Sequence, residues 1–174
     1  QGDMDFDRGH ESLRKAVELA EGATERERRY IGAFADSFLP ERNGGGEGFG
    51  AMMAAYEALP KELERLIIDY PEDEEAKALF ALTSFFSDTR YGAEAVIREL
   101  LQANPDHPGA HHYRIHLWDG EDGEMALDSC ERYGQLAWAS GHASHMPGHV
   151  YSGLGMWHEA AIWMDTATRV EQAY

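Results

Sequence analysis

Apolar residues recur along this chain every three or four positions, the period of helices with one buried face, and seldom every second position. In 10–22 (HESLRKAVELAEG), Leu13, Val17 and Ala20 share a face and Gly22 stands at the stop. Thr24 opens 24–39 with Glu27 three residues on, a capping box, and Ile31, Phe34, Ala35 and Phe38 form its apolar face. A long helix follows at 49–70, with a bend or restart expected at Pro60. The pattern then predicts helices at 76–88, 91–103, 109–118, 124–139, 144–154 and 157–173, about nine in all with short connections. Ser144 is the expected N-cap of 144–154, which puts Pro147 in its first turn. Alternating Val/Ile/Thr runs bounded by two-residue turns are missing, so the fold class is all-α.

Beyond Tyr70 the helices repeat. Pro71 and Pro105 stand thirty-four residues apart, each closing one helix pair and opening the next. In the last pair Gly148, Tyr151, Gly155, Trp157, Ala160, Met164 and Ala167 alternate small and large residues across two antiparallel helices. In 74–105 the corresponding positions are Ala81, Ala93, Ile97 and Pro105, while at 108–140 Ile115 occupies a site that is normally small. In these features the chain resembles tetratricopeptide-repeat (TPR-like) proteins. The resemblance implies antiparallel helix pairs stacked as a right-handed solenoid. It covers 72–172 well and 1–70 as degenerate repeats with a Gly-rich loop at 43–48, so 1–174 reads as one helical-repeat domain. The chain also resembles a bacterial TPR-like group carrying HPGA-x-HY-x-IH and H-x-x-HMP-x-H-x-Y segments, here HPGAHHYRIH at 107–116 and HASHMPGHVY at 142–151.

Those two segments concentrate the histidines. His112 and His116 lie four apart, as do His145 and His149, and the two pairs are thirty-three residues apart. Residues four apart share a helix face. In a TPR array the first helix of each pair lines a groove, so the repeat sets His112 beside His145 and His116 beside His149. Four facing imidazoles repel when protonated and need partners when neutral. Both pairs fall near expected helix starts, where the dipole favours neutral imidazole, the form that binds a metal. Imidazole nitrogens without thiolate suit a transition metal ion, copper or zinc above all, better than magnesium or calcium. The candidate ligands are therefore His112, His116, His145 and His149. His142, three residues before His145, is a further candidate, although a loop histidine at a helix start is more often a solvated cap. Asp119 and Glu159 are placed to orient the rings from behind. The competing reading is a polar groove whose histidines bond backbone or a peptide. His111 is expected to point away from His112, His107 to sit in a turn, and His10 and His158 to lie at the surface.

Composition narrows the partners. With 15 basic against 32 acidic side chains the formal charge is −17, which disfavours nucleic acid and anionic lipid. No apolar run is long enough to span a membrane. Cys130, the single cysteine, has no intrachain disulfide partner and is expected to fill a helix interface. No phosphate-binding Gly-rich loop, nucleophile elbow or EF-hand spacing is present. Trp118, Tyr151 and Trp157 are expected to pack between helices, while Ile162, Trp163, Ala167, Val170 and Tyr174 are offered to whatever follows. A start at Gln1 without methionine fits a processed mature chain, a trimmed one or a fragment; the first of these leans towards an exported or extracellular bacterial protein. These features favour a TPR-like scaffold for protein binding or self-assembly, head-to-tail with other copies, carrying a histidine-lined metal site. The alternative is a metalloenzyme using the same cluster to activate water or dioxygen.

Overall fold

The computed structural model of the chain describes residues 5–44, 46, 48–85 and 89–173. Every regular element among them is helical. They gather into two compact units, Gln1–Asp88 and Thr89–Tyr174.

The first unit holds α1 (Phe6–Leu19), α2 (Glu25–Phe38), the one-turn α3 (Pro40–Asn43), α4 (Phe49–Asp69) and α5 (Glu74–Ser84). Asp5 caps α1 by accepting from the Arg8 amide at 3.0 Å, so the helix begins ahead of the expected His10. The capping box of α2 is formed as expected. The Glu27 amide donates to Thr24 Oγ1 at 3.3 Å, and the Thr24 amide donates to the Glu27 carboxylate at 2.8 Å. Part of the expected loop winds into α3, closed by Gly44 at φ +66°, a backbone region glycine enters without penalty; Gly45 and Glu47 lie outside the described residues. No break occurs at Pro60. Burial of Leu59, Pro60, Leu63 and Leu66 holds α4 together despite the missing amide. The helix expected at 76–88 ends at Ser84, and 86–88 lie outside the described residues. Ala35, Leu39, Ala55, Leu63, Leu66, Ala76 and Ala81 form the core where α4 packs on α2 and α5.

The second unit holds α6 (Arg90–Ala103), α7 (Pro108–Trp118), α8 (Leu127–Leu136), α9 (Gly141–Gly153) and α10 (Trp157–Gln172). Thirty-three residues separate the first residues of α7 and α9, so the repeat survives in the fold. A 3-10 turn, Gly123–Ala126, leads into α8, which ends earlier than expected. The start of α9 departs from expectation by nearly a turn. Ser140, not Ser144, is the cap, accepting from the Ala143 amide at 3.3 Å. Ser144 is inside the helix and 1% exposed, and Pro147 follows in the second turn. Both serines suit a cap, and the earlier one adds a turn that buries Ala143.

A buried polar network ties α7 to its neighbours. Glu94 on α6 accepts from Arg114 Nη2 at 2.8 Å and Nε at 3.0 Å, from Trp118 Nε1 at 2.8 Å and from Arg98 Nε at 2.7 Å. Burial alone would raise the Glu94 pKa; donation from Arg114, Trp118 and Arg98 outweighs it and holds the carboxyl below its ordinary value. His111 is also turned inward, its Nε2 against the Pro105 carbonyl at 2.9 Å and its Nδ1 against Ser129 Oγ of α8 at 3.1 Å. With one ring nitrogen on a carbonyl and the other on a hydroxyl, the ring fits as a neutral Nε2–H tautomer, and burial lowers its pKa accordingly. With these side chains on one face, His112 and His116 occupy another.

Expectations about the last helix need correction. Trp163 is not left for a following segment: its ring lies over Gly134 of α8, where a Cβ would come within 2.0 Å of the indole. Ala167 is buried, Ile162 stays exposed, and Tyr174 lies outside the described residues. Trp118 and Tyr151 pack internally, but Trp157 is 70% exposed at the first turn of α10. Replacing Gly134 with alanine is expected to cost about 1–3 kcal/mol by overpacking, because a rigid indole must shift. Gly141→Ala meets only the side chain of exposed Glu171, which swings aside, so its stability should match the parent's. Urea denaturation of the two variants compares them, and equal losses would refute the assigned packing.

Candidate metal centre

The second unit brings five histidines together from two helices. On α7, His112 and His116 lie one turn apart with their Nε2 atoms 3.1 Å from each other. On α9, the first turn carries His142, whose Nε2 lies 3.0 Å from His112 Nε2. One potential ligand atom from each of His112, His116 and His142 falls within 4.8 Å of the others. Farther along α9, His145 and His149 bring their Nε2 atoms to 2.6 Å. The interhelical contact of His112 is thus with His142, three residues before the expected His145. The earlier start of α9 is the reason: it makes His142 a helical residue on the face turned to α7.

Rings around the cluster are held in place. His112 stacks on Tyr133 of α8 with centroids 5.0 Å apart and planes 10° apart, and on Tyr113 at 5.4 Å. Asp119, the C-terminal cap of α7, sets a carboxylate oxygen 3.8 Å from His149 Nδ1, the nitrogen turned away from His145. At that distance it is an ion-pair contact rather than a hydrogen bond that would fix the ring. Glu159 lies in the first turn of α10, where its charge bears on Tyr151. Among the remaining histidines, His107 caps α7 by accepting from the Ala110 amide at 3.1 Å, and His158 is exposed. His111 points away from His112, into the buried network.

Electrostatics favour the neutral form of three of these rings. Burial, reinforced by the neighbouring His116 and His142, lowers the His112 pKa to about 4. His116 and His145 are lowered for the same first reason, burial, with other histidines adding to it. The dipole argument fails for His116, which lies in the last turn of the eleven-residue α7 rather than near its start. There the dipole favours the protonated ring, so desolvation and imidazole neighbours decide the outcome.

Neutral imidazoles facing each other through Nε2 create a proton problem. Each close Nε2–Nε2 contact accommodates one N–H and one lone pair, and His112 Nε2 meets two such partners. A cation at the centre resolves it, since every ring then turns a lone pair inward and keeps its proton on Nδ1. Nitrogens bound tetrahedrally at about 2.0–2.1 Å lie roughly 3.3 Å apart, close to the spacing of His112 with its neighbours.

Cys130 offers no competing chemistry. Its thiol is buried and pushed up to about 12 by desolvation, the opposite of an activated nucleophile.

No protein-family model and no curated protein matches the chain. Solved structures match it along nearly its whole length. MamA AMB-1 aligns at 17% identity and a TM-score of 0.64, covering 98% of this chain and 100% of that one. A further MamA crystal structure gives 16% identity and 0.62, covering 97% and 90%. MamA MSR-1 gives 16% and 0.58, covering 94% and 97%. Identity this low concerns the fold alone: the chain has an all-α, TPR-like architecture of helix pairs.

Proposed function

We propose that this chain is a TPR-like scaffold for protein binding or self-assembly that carries a transition metal site, copper or zinc, among its histidines. The observation that carries the metal reading is the convergence of Nε2 atoms from His112, His116 and His142, with His145 and His149 alongside. Imidazole nitrogens are of a softness that suits copper(II) or zinc and disfavours magnesium and calcium. The scaffold reading is supported by the repeat fold and by exposed Trp138 and Trp157 in the second unit, the kind of apolar residue that association covers. No helix among the described residues is long and apolar enough to cross a membrane.

Protein purified without an affinity tag should carry stoichiometric copper or zinc by elemental analysis. Either ion, added after chelation, should raise the melting temperature. Replacing His112 with alanine should weaken binding by more than ~100-fold, beyond the upper range for outer-shell partners. A metal-free preparation whose melting temperature ignores both ions refutes the site. Association is read separately by light scattering with metal present. A monomer at high concentration counts against self-assembly.

A second reading has one observation in its favour. Three imidazoles leave a coordination position open, as in catalytic zinc sites, and His142 is solvent-exposed, so water or a substrate can reach that position.

A further inference from the structure

We infer that the cluster binds two metal ions, in two sites of unequal strength; this rests on the metal reading above. A single ion about 2.0–2.1 Å from each imidazole nitrogen can gather only nitrogens lying within roughly 4 Å of one another. His112, His116 and His142 come near that condition. Among the described residues, theirs is the one group of three or more potential ligands that converges so closely. His145 and His149 stand outside the group yet converge on each other, Nε2 to Nε2 at 2.6 Å and ring to ring at 4.3 Å. Ring spacing alone does not separate the sets, since His142 and His145 are 6.5 Å apart and His116 and His142 6.3 Å; the ligand atoms do, three of them converging within 4.8 Å and the other two on each other. The five rings therefore divide three and two.

Each set has its own surroundings. The three-histidine set draws ligands from both helices, with His112 stacked on Tyr133. The pair belongs to α9 alone and has the carboxylates nearby. An Asp119 carboxylate oxygen lies 3.8 Å from His149 Nδ1, and Glu171 of α10 lines a cavity of about 450 Å³ with His145 and Met164, which His142 of the first set also borders. The charge of Glu171 also bears on His145. The first site is thus a three-imidazole site for zinc or copper(II). The second is a two-imidazole site bordering the cavity that Glu171 also lines. Having fewer protein ligands, it is the weaker and more exchangeable.

The whole chain, stripped with chelator, is titrated with zinc by calorimetry, and bound metal is counted after equilibrium dialysis. Two equivalents are expected, one tight and one weak. His149→Gln should keep the tight equivalent and lose more than ~10-fold of affinity for the weak one. His112→Gln should lose the tight equivalent, and circular dichroism verifies that each variant is folded. One equivalent in the parent protein, whether unaffected by His149→Gln or lost in both variants, overturns the two-ion arrangement and leaves a single site. No binding in the parent overturns the metal reading itself.

Discussion

Glu94→Ala is expected to lower stability by about 3–5 kcal/mol, the range for removing one partner of a buried ion pair. Glu94 is 5% exposed and Arg114 8%, so neither can recruit bulk water when the other is gone. The truncation leaves a guanidinium and the Trp118 indole N–H facing an empty space, whereas Arg98, more than half exposed, rehydrates easily. For a chain of this size the loss corresponds to a fall in melting temperature on the order of 10 °C. Glu94→Gln keeps an acceptor in place and should lose less. Pairing Glu94→Leu with Arg114→Met should recover stability relative to either single change, because no unpaired charge remains. Thermal melts followed by circular dichroism decide it. A Glu94→Ala variant within ~1 kcal/mol of the parent shows that the network carries little of the stability.

The second large effect is a response to pH. In chelator-treated protein the melting temperature should fall as pH drops from 7 to 5. His112 is lowered from 6.5 to about 4 on folding, so between those values the unfolded chain binds a proton that the folded chain refuses. Its stabilising contribution is complete above the unfolded value and is lost as pH falls towards the folded one. His111, His116 and His145 shift in the same direction and add to the slope. Most carboxylates stay ionised over this window, so relief of the acidic surface charge does not mask the trend. Replacing His112 with glutamine should flatten it. A melting temperature constant from pH 7 to pH 5 would mean that these rings gain their protons without resisting the fold.

What the sequence disclosed follows from what leaves a periodic trace. The helix pairs did, because each must bury a stripe at a spacing of three or four. The thirty-three-residue phase between His112 and His145 correctly put their helices side by side. The register of α9 left no such trace. Ser140 and Ser144 are equally good caps, and Pro147 suits a first turn, so the later start read naturally. It placed His142 outside the helix and hid its contact with His112. The Glu94 network was hidden for another reason. Charged residues at helical spacing ordinarily mark a solvated face, and only the four-residue spacing of Arg114 and Trp118 hinted that one carboxylate could serve both.

The contact between His112 and His142 joins residues thirty positions apart in the chain, with all of α8 between them. An ion held there closes a loop. In the chain-entropy picture used for disulfides, fixing the ends of a loop this long removes about 3–4 kcal/mol of freedom from the unfolded ensemble. A disulfide is released by electrons; this closure would be released by protons or a chelator. The order in which the second unit comes apart would then depend on its surroundings, with α8 and α9 separating from α7 first where metal is scarce.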